Sequence, residues 1–171
     1  LTMTILAEPA GVAPIRRDGA RPGDGVYVTG QLGGAWDEQG GGPHLTAEPR
    51  VELARQLAMT PGVEVRAMID LSDGLGRDLG HICERSGVAA EVRADRIPCR
   101  PGVDVRNALS DGEDYELCFT AAGEPPASID GVAITAVGRI VEAARPGVTL
   151  IETDGTRRPL TDAGWEHKDR P

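Results

Sequence analysis

Two observations predict an α+β fold. Segments alternating at period two, such as Gly25-Val-Tyr-Val-Thr-Gly30 and Val132 to Val137, are interspersed with segments at helical spacing, Arg50 to Ala58 and Leu75 to Cys83. They do not keep the regular strand–helix–strand rhythm of a doubly wound sheet. At 171 residues the chain suits one domain with a sizeable core.

Taken in order, Thr2 to Ala7 predicts a strand and Pro9 to Pro14 a loop. A turn-rich basic segment, Arg16 to Asp24, leads into the strand Gly25–Thr29. The glycine-rich stretch Gln31 to Pro43 predicts a mobile loop or a trimmed connection, and His44 a polar loop residue. No Gly-Lys-Ser/Thr follows that stretch, so it is not a phosphate-binding P-loop. Arg50 to Ala58 predicts a helix with Val51, Ala54, Leu57 and Ala58 on its apolar face, stopped by Thr60-Pro-Gly62.

Val65 to Ile69 predicts a strand, and the helix after it should end at Ser86 with Gly87 as its C′ residue. Val88 to Val92 is a further short strand, Val103 to Leu109 a short helix, and Tyr115, Leu117 and Phe119 alternate as a strand. Ile129 to Ile140 contains a strand closing at Gly138-Arg139. Val148 to Ile151 continues through an Asp154-Gly155 turn toward Leu160. The core should occupy about residues 1–160, leaving 161–171 as a tail that contains Trp165.

The net charge of −9 argues against a nucleic-acid backbone as a general partner, while polyanions remain possible where cations bridge them. No run approaches the roughly 20 apolar residues of a membrane span. Cys83, Cys99 and Cys118 are odd in number, lack metal-ligand spacing and sit in apolar runs, so reduced cysteines and a cytoplasmic location are expected. Aromatics are scarce, which disfavours base-stacking surfaces.

The most unusual chemistry falls at Asp70-Leu-Ser-Asp-Gly-Leu75, between the strand and the helix. Two readings stand side by side. In one, Ser72 or Asp73 is the helix N-cap and Asp70 a solvated loop residue. In the other, Asp70 and Asp73 offer hard oxygen ligands to Mg²⁺ while Ser72 and the helix N-terminus face a phosphate. A second acidic cluster brings Asp111, Glu113, Asp114 and Glu116 into six positions. Such crowding is unfavourable unless the carboxylates are solvated, cation-bound or hydrogen-bonded to a donor ligand.

Asp70-Leu-Ser-Asp-Gly-Leu with Asp78-Leu-Gly-His81, Gly112-Glu-Asp-Tyr-Glu-Leu-Cys-Phe-Thr120, Arg21-Pro-Gly-Asp-Gly-Val-Tyr-Val-Thr-Gly30 and Gly164-Trp165 closely resemble the thiamine-monophosphate kinase family. That family lies within the aminoimidazole ribonucleotide synthetase-like superfamily. The resemblance implies the superfamily's C-terminal domain, an α+β sandwich with a mixed sheet flanked by helices and a partial likeness to a ferredoxin-like arrangement. It implies ATP-dependent, in-line phosphorylation of thiamine monophosphate to thiamine diphosphate, with Mg²⁺ gathering the two polyanions.

By the same resemblance Asp70 and Asp73 match Mg²⁺ ligands, Ser72 and Arg17 match ATP contacts, and Glu113 and Trp165 match thiamine-phosphate contacts. The resemblance further implies that residues 1–171 are a C-terminal domain whose N-terminal ATP- and metal-binding partner domain is absent, leaving the isolated chain inactive. The full-length enzyme would be a homodimer. Asp111 stands where the family usually has glycine. Alternatives are another ATP-using superfamily member, of the selenophosphate synthetase, purine cyclo-ligase or hydrogenase-maturation type, or a non-catalytic lobe that binds a ligand or partner.

Overall fold

The computed structural model describes residues 11–36 and 39–160, together with residues 4 and 8. The strand expected over Thr2–Ala7, of which Thr4 alone is described, and the tail with Trp165 lie outside the described residues.

The strands are β1 (Gly25–Thr29), β2 (Glu64–Asp70), β3 (Ala89–Arg93), β4 (Leu117–Ala122), β5 (Ser128–Ile129), β6 (Val132–Val141), β7 (Gly147–Ile151) and β8 (Arg157–Pro159). The helices are α1 (Val51–Ala58), α2 (Leu75–Ser86) and α3 (Val105–Ser110). The sheet runs β2-β4-β1-β6-β3-β7-β8, with β5 paired to β6. Among the described residues β3 and β7 pair in parallel and the other pairs are antiparallel, so the sheet is mixed as expected.

Helices cover both faces. Cys118 of β4 packs in a core with Leu75, Leu79, Ile82 and Cys83 of α2 and with Ala108 and Leu109 of α3. Its neighbours Phe119 and Ala121 belong to a second core with Leu53 and Leu57 of α1. Successive strand residues point to opposite faces, so β4 lies buried on both sides. Phe119 is fully buried and stacks on Tyr27 at 5.3 Å between ring centroids. Each fully buried Leu or Phe side chain contributes about 1.5–3 kcal/mol by leaving water.

Several expectations are corrected in detail. Leu57 is buried as expected, but Val51 is 74% exposed and Leu53 is buried in its place, because the packing stripe follows the i, i+4 pair Leu53–Leu57 against Phe119. Tyr115 does not begin β4, since its φ of 52° is left-handed and breaks the extended backbone before Leu117. β6 continues past Gly138-Arg139 to Val141, held by β3 on one side.

The stretch expected to be mobile is fastened where it is described. Leu32 N–H donates to Pro98 O at 2.8 Å, Arg100 N–H donates to Leu32 O at 3.0 Å, and Leu32, Gly33 and Ala35 are buried. Gly87 ends α2 as expected, at φ 67° and ψ 31°, a conformation that glycine adopts without a Cβ clash.

Candidate functional site

β2 delivers Asp70 to the end of the sheet, and Leu71, Ser72 and Asp73 turn the chain into α2. The helix is capped by Gly74 at φ 102°, with no side-chain cap bond, so neither Ser72 nor Asp73 is the N-cap. A residue inside the helix holds the turn. Both Ser72 N–H and Asp73 N–H donate to Asp78 Oδ2 at 3.0 Å.

Asp78 is 2% exposed. Burial pushes its carboxyl above the usual range; the charges of Asp73 and Asp70 push the same way, and the two backbone N–H bonds oppose. Asp70 is exposed, Asp73 half-buried and 3.5 Å from Arg77. Asp73, Asp78 and His81 each offer a ligand atom, all within 4.8 Å of one another. The turn therefore gathers carboxylates whose mutual repulsion a cation would relieve.

The two acidic clusters, distant in sequence, form one structure. Leu71 N–H donates to Glu116 O at 2.8 Å, Tyr115 N–H to Leu71 O at 2.9 Å, and Glu113 N–H to Ser72 O at 2.8 Å. Gly112 makes this approach possible: a Cβ there would stand 2.5 Å from Ser72 O. Glu113 and Tyr115 both adopt positive φ, 64° and 52°, a conformation unfavourable for non-glycine residues and concentrated at functional sites.

The four carboxylates of the second cluster then part company. Asp111 Oδ2 accepts from Gly34 N–H at 3.0 Å. Asp114, 5% exposed, accepts from Gly33 N–H at 2.9 Å and from Arg100. Burial pushes the Asp114 carboxyl up, against the hydrogen bond from Arg100. Glu116 is buried and bidentate with Arg50, at 2.9 and 2.7 Å, and accepts from Thr29 Oγ1 at 2.5 Å. Glu113 alone points outward, and it faces His44. An open cleft of about 240 Å³ lies beside these groups, lined by Pro43, Glu48, Arg50, Arg100 and Tyr115 among others.

The structure thus brings Asp70, Ser72, Asp73 and Glu113 together. Arg17 stands apart: its carbonyl accepts from Ser86 Oγ at 3.0 Å, at the C-terminal end of α2. The turn is at the other end, roughly 18 Å away along a twelve-residue helix. Trp165 is outside the described residues.

The sequence marks Asp114 and Glu116 within the second acidic cluster and Asp78 within a motif, but it assigns no individual role to them or to Arg50, Arg100 or His44 at the site. For Asp114 and Glu116 a signal existed in their i, i+2 spacing, which is compatible with burial beside a strand. Nothing local marks Arg50 and Arg100 as their partners, because the pairs span 66 and 14 residues.

The domain is thus an α+β sheet with helices on both faces and paired acidic turns at one end of it. The family model described as "AIR synthase related protein, C-terminal domain" matches residues 21–151, and the chain belongs to that family. It is 40% identical over 142 residues to the thiamine-monophosphate kinase of Rhodopirellula baltica, covering 75% of this chain and 43% of that protein. The corresponding kinase of Salmonella typhimurium is 36% identical over 189 residues, covering 93% of this chain and 56% of that protein.

Among solved structures, the complex of AaThiL with AMPPCP and TMP superposes with a TM-score of 0.65 at 28% identity, over 90% of this chain and 54% of that one. The hydrogenase maturation protein HypE reaches a TM-score of 0.67 at 20% identity over 98% of this chain and 59% of that one, a likeness of fold alone. The chain spans about half the length of the curated relatives it matches. No described helix is long and apolar enough to cross a membrane.

Proposed function

We propose that this chain is the C-terminal half of an enzyme that transfers a phosphoryl group from ATP to the phosphate of thiamine monophosphate, giving thiamine diphosphate and ADP. The observation that carries the reading is the lacing of the two acidic turns, which brings Asp70, Ser72, Asp73 and Glu113 to one edge. The kinases at 36–40% identity give the reading its substrates.

Asp70 and Asp73 are the proposed Mg²⁺ ligands, with Asp78 behind them orienting the turn through its two backbone hydrogen bonds. The oxygen donors fit a hard divalent cation, and the repulsion that helps raise Asp78 is what such a cation would offset. When bound, Mg²⁺ supplies charge neutralisation between the two polyanions.

Ser72, whose hydroxyl donates to Asp73 Oδ1 at 3.4 Å, is the proposed nucleotide contact. Glu113 offers a carboxylate to the cationic thiamine, and Trp165 is the proposed aromatic face against it. Arg17 is also proposed as an ATP contact, from the opposite end of α2 to this turn. The enzyme is proposed to be a cytoplasmic homodimer when complete, in keeping with three free cysteines. Its other half would contribute the remaining metal and ATP ligands, so the isolated chain should bind nucleotide weakly and not turn over.

The test is Asp70→Asn in the full-length enzyme. Transfer to thiamine monophosphate should fall by about 100-fold or more, consistent with loss of an electrostatic contact to transferring phosphate. It should also show an altered Mg²⁺ dependence with an unchanged circular dichroism spectrum. Near-normal turnover at ordinary Mg²⁺ removes Asp70 from the site. Wild-type transfer to the acceptors of the other superfamily members, in preference to thiamine monophosphate, would overturn the assignment of substrate.

A further inference from the structure

His44 lies in a short 3₁₀ helix, Pro43–Thr46, that is anchored on Ala35. Its backbone N–H donates to Ala35 O at 3.1 Å, and its ring Nδ1 lies 2.8 Å from the same carbonyl. A carbonyl only accepts, so Nδ1 carries the proton. In the neutral imidazole Nε2 is then an acceptor. That nitrogen faces Glu113 Oε2 across 3.9 Å, too far for a hydrogen bond between them.

With the imidazole neutral, two acceptors face each other across this gap, and among the described residues no donor bridges them. The His44 side chain is largely enclosed, at 14% exposure, while that of Glu113 is 47% exposed at the edge of the site. Glu113 is held in this orientation by a left-handed backbone, φ 64°, and by its N–H bond to Ser72 O. The gap is fixed from both sides, by Ala35 under the histidine and by the Asp70–Asp73 turn under the glutamate.

We propose that His44 is a specificity-determining residue, and that His44 Nε2 and Glu113 together receive the two hydrogens of a neutral exocyclic amino group on the substrate's heteroaromatic ring. On the reading of the function given above, on which this assignment rests, that group is the amino substituent of the thiamine aminopyrimidine. A site built around two acceptors rejects an analogue lacking the amino group, because both acceptors are then left unpaired in a partly desolvated place.

The experiment compares thiamine monophosphate with its desamino analogue, in which hydrogen replaces the amino group, as acceptors for the full-length enzyme. Three forms are assayed: wild type, His44→Asn and Glu113→Gln. Asparagine keeps an amide N–H where Nδ1 sits, preserving the tie to Ala35 O, but offers no acceptor toward Glu113. Wild type should favour the amino substrate in kcat/KM by about 10- to 100-fold, the range of two hydrogen bonds of which one goes to a carboxylate. His44→Asn should shrink that preference to within about threefold, mostly by raising KM for the amino substrate, with KM for ATP unchanged.

Glu113→Gln should reduce the preference as well, and it keeps the proposal testable should the His44 variant fold poorly. A wild-type enzyme indifferent to the amino group, or a His44→Asn enzyme that discriminates like wild type, overturns the role of His44 while leaving the kinase reading standing. Equal losses on both acceptors mean a structural role for His44 and also overturn it. Absence of transfer to thiamine monophosphate by the wild-type enzyme overturns the kinase reading and this assignment with it.

Discussion

Asp114 is buried between a glycine loop and Arg100, and its ionisation is set by that place. Folding raises its pKa above the ordinary 3.8, chiefly by burial. Its contribution to stability is therefore complete below the ordinary aspartate range and is lost as pH rises through the raised value. Asp114→Asn lacks this titration. Urea denaturation of the two proteins should show the wild type gaining on the variant as pH falls from neutrality toward about 4, with equal m-values. A constant difference across that range would mean that Asp114 titrates as it does in the unfolded chain. Asp111 illustrates how a residue choice can be absorbed: at φ −65° its Cβ is allowed, and its carboxylate takes the Gly34 N–H. The extra carboxylate thus secures the glycine loop.

At the scale of elements, two junctions hold the candidate site in shape. One is the pair Arg50–Glu116, which ties the start of α1 to the entry of β4 through two hydrogen bonds, with Thr29 of β1 adding a third to Glu116. The hydrogen bond to Glu116 raises the pKa of Arg50 still further, so the guanidinium stays charged. Glu116→Gln leaves that charge half-buried with only the more distant Glu48 to offset it and should destabilise the fold by about 3 kcal/mol, read as a lowered urea midpoint. A change within about 0.5 kcal/mol would show that water replaces the pair without loss. The other junction is the contact of Gly112 with Ser72 O. Gly112→Ala should push the two acidic turns apart, lowering stability by about 1–3 kcal/mol and weakening nucleotide binding by the full-length enzyme. Tight binding in a variant of lowered stability would separate the turn contact from the site.

For the whole molecule, the two cores on opposite faces of one sheet determine which groups a reagent reaches. Cys83 and Cys118 lie in the core beneath α2, where burial pushes the Cys83 thiol up to about 12 and raises Cys118 as well. Cys99 is half-buried, beside the Leu32 bridge. Treatment of the native protein with iodoacetamide at pH 8 should modify Cys99 slowly and spare the other two, while the denatured chain takes up label at all three. Native labelling of Cys83 or Cys118 would show that α2 opens from the sheet on the timescale of the reaction. The same packing on both faces explains why the candidate site sits at an edge. The ends of β2 and α2, and the segment before β4, are where side chains escape the two layers.

The α+β class, the three helices, the strands β1 to β4, β6 and β7, and the Asp154-Gly155 turn into β8 were readable in the sequence, whereas the two-residue β5 was not. Each rests on local periodicity and turn chemistry, which short stretches of chain carry by themselves. The motif Asp70-Leu-Ser-Asp was legible too, as chemistry of the right kind, but its two readings could not be separated locally. Gly74 at the cap and Asp78 reaching back from within α2 exclude Ser72 and Asp73 as the N-cap, a choice made by packing. Only the tertiary structure joined that turn to Gly112–Glu116, paired Asp114 and Glu116 with Arg100 and Arg50, and set His44 against Glu113. The physical reason is one of range. Backbone periodicity and turn preference are written within a few residues, whereas the partner of a buried charge is whatever distant side chain the folded sheet brings within about 3 Å.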